Sequence, residues 1–157
     1  MTAAADLDLE AVARWLANNA PSLTAPISAQ KIAGGQSNPT FLLATSTGRL
    51  VLRRKPPGEL LKSAHAVDRE YRVQRALAST NVPVPKMHAF CNDESVIGSM
   101  FYVMDHIDGR NFDDPRLPGV AHEERALILV EMARVLARIH AVDLKAAGLT
   151  DYGRPGN

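Results

Sequence analysis

At 157 residues and a net charge of +1, the chain has room for one domain with a real core, and it carries no basic field for nucleic acid or an anionic membrane. Its 46% hydrophobic and 22% charged content match a globular protein rather than a disordered one. No apolar run approaches the roughly 20 residues of a transmembrane helix, Asp6, Asp8 and Glu10 interrupt a leader-like start, and the single Cys91 excludes an internal disulfide, so the expectation is a soluble cytoplasmic protein.

Leu9, Val12, Trp15 and Leu16 recur at helical spacing, with Asp6 or Asp8 as N-cap and Pro21-Ser22 as the stop. They predict a helix over about 8–19, with Trp15 packed on the outside of a sheet. A first strand over about 27–33 leads into Gly34-Gly35-Gln36-Ser37-Asn38. Two adjacent glycines allow positive φ and close backbone approach, so this segment is either a plain hairpin turn or a cradle of N–H groups for an anion. Phe41–Ala44 and Leu50–Leu52 form two apolar runs joined by Ser46-Thr47-Gly48, which is a hairpin signal. Alternation then puts Val51 and Arg53 on one face and Leu50 and Leu52 on the other. The strand ends in Arg53-Arg54-Lys55, read either as a solvated strand end or as the place where a cation meets phosphate.

After the break at Pro56-Pro57-Gly58, Ser63 caps an expected helix over about 64–79. Val67, Tyr71, Gln74 and Leu77 share a face there, and Glu70 borders it. Beside Arg69 and Arg72, Glu70 could equally be a surface residue. Asn81–Pro85 must be extended because of its prolines. A strand over about 86–91, a turn over Asn92–Gly98 and a strand over about 99–104 follow, with no special role expected for His88. Asp105-His106-Ile107-Asp108-Gly109 reads as a polar linker, and residues 111–119 as a loop punctuated by Pro115 and Pro118. A long apolar helix is expected from His122 to Ala147, ended by Gly148, with Glu124, Glu131, Arg138 and Lys145 along its wet edge. Residues 150–157 read as a connector. The sum is an α+β chain built on a twisted five-stranded antiparallel sheet.

The segments GGQSN, RLVLRRKPPG, DREYRVQRAL, NVPVPK, FYVMDHIDG and LARIHAVDL occur in that order from about residue 27 to residue 147. Through them the chain resembles the nucleotide-binding lobe of the aminoglycoside phosphotransferase family, a branch of the protein-kinase-like fold. Within that family it most resembles the kinase-like head domains fused to some acyl-CoA dehydrogenases and their free-standing bacterial relatives. The resemblance implies ATP with magnesium as cofactor. Gly34, Gly35, Gln36, Ser37 and Asn38 would then face the phosphates. Val51 and Arg53 would come from the third strand, with Arg53 standing where most kinases carry lysine and Lys55 as the alternative cation. Glu70 would pair with that cation. Met104, with Val103, would form part of the apolar wall, and the backbone of Asp105, His106 and Ile107 would meet the adenine edge. The implied organisation is a helical extension over 1–26, a nucleotide lobe over 27–104, a hinge and loop over 105–119, and the first long helix of a second lobe with a connector over 120–157.

The family's base motif is His-Gly-Asp, and none of His65, His88, His106, His122 and His140 is followed by Gly-Asp. No histidine or cysteine spacing suits zinc either. No catalytic residue and no metal ligand is therefore expected in this chain. It is expected to be a truncated part of an enzyme that phosphorylates a small-molecule hydroxyl, inactive alone, a weak binder of ATP, and self-associating because its last helix lacks cover. Two other readings stay open: a non-catalytic nucleotide- or partner-binding kinase-like module, and a plain interaction domain.

Overall fold

The computed structural model describes residues 7–32, 38–56 and 66–153. The chain divides into two units, one of Met1–Arg75 with Pro85–His106 and one of Ala76–Val84 with Ile107–Asn157. Among the described residues, no helix is long and apolar enough to cross a membrane.

The first unit is a five-stranded antiparallel sheet, strand order β1-β2-β3-β5-β4, formed by β1 (Pro26–Lys31), β2 (Thr40–Thr45), β3 (Gly48–Arg54), β4 (Met87–Cys91) and β5 (Phe101–Asp105). The β2–β3 hairpin closes with Thr45 opposite Gly48, and its register carries Phe41 onto Leu52 and Thr40 onto Arg53. This is the hairpin that the Ser-Thr-Gly turn and the flanking apolar runs predict. Strand β5 then inserts beside β3, with Val51 opposite Met104 and Arg53 opposite Tyr102.

Period-two alternation gives the sheet two distinct faces. Phe41, Leu43, Leu50, Leu52, Ala89, Cys91, Phe101 and Val103 point to one of them and join Val12 and Leu16 of helix α1 (Leu9–Asn19), and its C-cap Ala20, in a single buried cluster. Helix α1 starts at Asp8, whose side chain accepts from the Ala11 N–H at 2.9 Å, as the capping reading expects. Trp15 packs edge-on against Phe101, ring centroids 5.1 Å apart, so it anchors this helix on the sheet.

The opposite face meets helix α2 (Val67–Leu77). Tyr71 stacks on Phe90 at 5.3 Å and tilts against Tyr102 at 6.0 Å. The proposed cap at Ser63 and the helix start at Ala64 lie outside the described residues.

In the second unit, Val82, Leu117 and Leu149 are buried. Helix α3 spans His122–His140 and has no buried residue; Leu127, Met132 and Leu136 are 69, 63 and 53% exposed. The predicted helix to Ala147 is therefore too long. The reason is Asp143, whose carboxylate accepts from the N–H groups of Lys145 (2.8 Å) and Ala146 (3.1 Å) and so begins a separate turn. That turn closes on Gly148 at φ +66, with Leu149 N–H donating to the Leu144 carbonyl, the Schellman arrangement that favours glycine. Gly148 thus ends the turn rather than α3. Because α3 buries no residue fully and its exposed side chains are mostly apolar ones outside the repeat, the seven-residue charge repeat does not single out a wet edge. Glu131 of that repeat instead pairs with Arg134 and Arg138.

Leu16 is 1% exposed in the α1-facing core, so Leu16→Ala should cost about 2–5 kcal/mol by transfer and cavity terms. Ile27, 69% exposed on β1, should tolerate alanine within about 0.5 kcal/mol. Denaturant midpoints of the two variants measure the contrast.

Candidate functional site

A carboxylate on α2 gathers side chains from two strands, β3 and β5, and from Asn38 just ahead of β2. Glu70 Oε2 accepts from Arg53 Nε at 2.8 Å and from the Tyr102 hydroxyl at 3.0 Å. Its Oε1 accepts from Asn38 Nδ2 at 2.8 Å and, more distantly, from Arg53 Nη2 at 3.5 Å. Arg53 Nη1 donates to Thr40 Oγ1 at 3.1 Å, and that hydroxyl donates to the Asn38 carbonyl at 3.1 Å. Gln74, one turn beyond Glu70, donates to the Tyr102 oxygen at 3.5 Å.

Local structure explains the convergence. In β3 the alternation that sends Leu50 and Leu52 into the α1-facing core sends Arg53 to the other face. The antiparallel registers lay Thr40 and Tyr102 on either side of Arg53, on that same face. One helical turn of α2 then brings Glu70 and Gln74 over them. Arg53 and Glu70 side chains are 28 and 33% exposed, so the pair is neither buried nor freely solvated. Asn38 and Tyr102 are 2 and 1% exposed.

Tyr102 shows the electrostatics of the cluster. Burial pushes its phenol well above the ordinary value of 10, the Glu70 charge and hydrogen bond raise it further, and the Arg53 charge and the Gln74 hydrogen bond pull the other way. The neutral phenol is therefore the donor to Glu70.

Of the sequence-predicted site residues, the structure joins Asn38, Arg53 and Glu70 directly. Gly34, Gly35, Gln36 and Ser37 lie outside the described residues. Val51 is buried directly across from Met104, two residues along the strand from Arg53. Lys55, the alternative cation, is tied through its backbone N–H to the Met100 carbonyl at 2.9 Å, whereas Arg53 is engaged through its guanidinium. Asp105 closes β5 with its N–H on the Lys86 carbonyl, and its carboxylate meets His88 Nε2 at 2.6 Å. His88, given no role from sequence, thus has a definite partner at the end of the strand. The boundary between the two units falls after His106, and Ile107 is 66% exposed in the second unit.

Thr40 and Tyr102 are the members that sequence reasoning missed. Tyr102 stands two residues from Met104, and period two places both on one face, but pairing of β5 with β3 has no local signal. Among the described residues, no group of three or more histidine, cysteine, aspartate or glutamate side chains could hold a metal ion.

A five-stranded antiparallel sheet with a strand cation held by a helix acid defines a kinase-like lobe of the α+β class. The pattern of the phosphotransferase enzyme family matches residues 28–157, and the chain belongs to that family. It is 48% identical to the probable acyl-CoA dehydrogenase IBR3 of Arabidopsis thaliana over 96% of this chain and 19% of that protein. It is also 48% identical to acyl-CoA dehydrogenase family member 11 of Homo sapiens, over 76% of this chain and 15% of that one. Among solved structures, a candidate aminoglycoside phosphotransferase from Ralstonia eutropha JMP134 superposes with a TM-score of 0.81 at 47% identity, covering 96% of this chain and 43% of that chain. The chain thus spans about a fifth or less of these curated relatives and under half of the structural neighbour.

The raised Tyr102 value makes a signed prediction. Because the folded phenol holds its proton more tightly than the unfolded one, its stabilising contribution is complete below pH 10 and falls as pH rises beyond it. Near pH 10, Tyr102→Phe should leave the tyrosinate absorbance of the folded protein unchanged. Loss of about one tyrosine's half-ionised signal in that variant would show Tyr102 to be an ordinary phenol.

Proposed function

We propose that this chain is the nucleotide lobe of a small-molecule phosphotransferase, which moves the γ-phosphoryl group of ATP to a substrate hydroxyl. The observation that carries the proposal is the Arg53–Glu70 pair at 2.8 Å, fixed on the sheet face opposite α1. Family membership supports the class of reaction, and the pair supplies a reason for it in this chain's own residues.

A guanidinium has five N–H donors on a rigid plane. Among the described residues, the bonds from Arg53 to Glu70 and Thr40 use three of them, leaving one on Nη1 and one on Nη2. Two N–H groups on adjacent nitrogens suit two oxygens of one phosphate, and the formal charge favours them further. Arg53 can therefore keep its acid and meet an anion at once. Met104, half-buried and paired with Val51 across β3 and β5, offers an apolar surface on the same face for a base. Gly34–Ser37, which lie outside the described residues, and the backbone of Asp105 and His106 would complete the proposed contacts with the phosphates and the purine edge.

ATP bound with magnesium would supply the electrophilic γ-phosphorus. Transfer breaks its bond to the β–γ bridging oxygen and forms one to the substrate oxygen, whose proton passes to a base. We assign that base and the magnesium ligands to parts of the parent protein outside these residues, since no histidine here begins a His-Gly-Asp segment. The chain alone should therefore bind ATP weakly and transfer nothing, whereas the parent should phosphorylate its acceptor.

Within the parent enzyme, Arg53→Ala should lower kcat by about 10²–10³-fold, as expected when one donor to transition-state charge is removed. Glu70→Ala should lower it less, by releasing the cation rather than removing it. Steady-state kinetics of the two variants would test this, and unchanged turnover in Arg53→Ala would remove the assignment.

The isolated chain should also self-associate through α3. Leu127, Leu129, Val130, Met132, Leu136 and Ile139 are all exposed on this one helix, and covering such a side chain gains roughly 1.5–3 kcal/mol. Sedimentation at micromolar concentration should show dimers or larger species; a clean monomer would contradict it.

A further inference from the structure

We propose that Asn38 and Tyr102 are positioning residues that hold the Glu70 carboxylate, and through it Arg53, so that the end of the β1–β2 connection and the phosphate-facing cation move as one piece. The proposal rests on the reading that Arg53 meets phosphate.

An ion pair at about 30% exposure, made by two flexible side chains, is a loose device. Here the carboxylate is held from both ends by neutral donors that are almost fully enclosed. Asn38 Nδ2 occupies Oε1 and the Tyr102 hydroxyl occupies Oε2, so the carboxylate plane cannot turn without breaking one of them. A second path leads back to the same asparagine: Arg53 donates to Thr40, and Thr40 donates to the Asn38 carbonyl. Asn38, Glu70, Arg53 and Thr40 therefore form a closed ring in which Asn38 serves through both its side chain and its backbone. Asn38 is also the residue at which the Gly34–Asn38 segment joins β2. Displacing its backbone would pull on the acid and on the guanidinium together.

The geometry also says why these donors are neutral. A second cation would compete with Arg53 for Glu70 and add charge where phosphate is to bind. An amide and a phenol satisfy the remaining lone pairs without changing the net charge of the pair. Burial of Asn38 and Tyr102 gives the carboxylate a rigid seat, which neither α2 nor the partly exposed Arg53 provides.

The test uses the whole chain and two readouts. The first is the Arg53 Nε–H resonance in nitrogen-labelled protein, assigned by its disappearance in Arg53→Lys. Asn38→Ala, the near-isosteric but apolar Asn38→Leu and Tyr102→Phe should each speed its solvent exchange by about two- to tenfold, the net effect of one lost hydrogen bond. Leu16→Ala, which loosens the opposite face of the sheet, should leave it unchanged under conditions where the protein remains folded. The second readout is binding of ATP and of adenosine, followed by resonance shifts so that weak affinities register. Asn38→Ala should weaken ATP by about two- to tenfold and leave adenosine unaffected. In an Arg53→Ala background, Asn38→Ala should cause no further loss. An unchanged Arg53 resonance in both Asn38→Leu and Tyr102→Phe overturns the proposal, as does an equal loss of ATP affinity with and without Arg53. If Arg53→Ala itself leaves ATP binding unchanged, the phosphate reading of Arg53 fails, and the coupling to phosphate fails with it. That outcome is separable because the resonance readout does not depend on nucleotide.

Discussion

The carboxylate of Glu70 is the constraint around which the first unit is arranged. A charged acid placed between a helix and a sheet loses water and must find donors, or its burial costs several kcal/mol. Glu70 finds them just ahead of β2, on β3 and on β5, segments far apart in sequence. Each donor depends on a register: Arg53 faces α2 only because β3 pairs β2 as it does, and Tyr102 only because β5 pairs β3. A one-residue slip would send Arg53 into the α1-facing core and Leu52 onto the acid. The same alternation thus fixes the apolar core and the polar site, which makes the two mutually dependent.

Two helices divide the labour across that sheet. Helix α1 covers the aliphatic face with Val12 and Leu16, a dispersive contact that needs area more than direction. Helix α2 covers the other face through Tyr71 against Phe90 and Tyr102, and brings Glu70 to the cation. Tyr102 belongs to both kinds of contact, with its ring against Tyr71 and its hydroxyl on the acid. Its raised ionisation value follows from that double role, since the enclosure that packs the ring also keeps the phenol from ionising beside a carboxylate.

What could be read from the chain alone follows the range of the interactions. The α1 cap at Asp8, the β2–β3 hairpin and the two faces of β3 are set by residues within a few positions of one another, and each was legible. The meeting of Arg53 with Glu70 is separated by 17 residues and by a proline break; family resemblance suggested it where local pattern could not. Tyr102 and Thr40 were invisible because the adjacency of β5 to β3 is a matter of topology. The end of α3 was misread for a subtler reason. Apolar spacing continues past His140, but a single aspartate offers the backbone a competing set of hydrogen bonds, and the chain takes it. His88 illustrates the same limit, since its partner Asp105 lies across the β4–β5 connection.

Arginine at position 53 gives this cluster its form. A lysine presents its charge at one atom, so acid and phosphate must crowd around the same ammonium, and its four-carbon stem can swing toward either. A guanidinium can separate acid and proposed phosphate on different edges of one plane: Nε and Nη2 lie toward Glu70 and Nη1 toward Thr40, with a donor left among the described residues on each terminal nitrogen. Separation works only if the plane is oriented, because a rotated fork would offer one N–H where two are needed. Orientation has to come from the acid, and the acid in turn needs donors that do not move. The enclosed amide of Asn38 and the enclosed phenol of Tyr102 meet that need. A planar cation that is to hold an acid and also meet phosphate, as proposed, therefore carries with it a requirement for a fixed carboxylate, and the surrounding polar ring is the structural form that requirement takes.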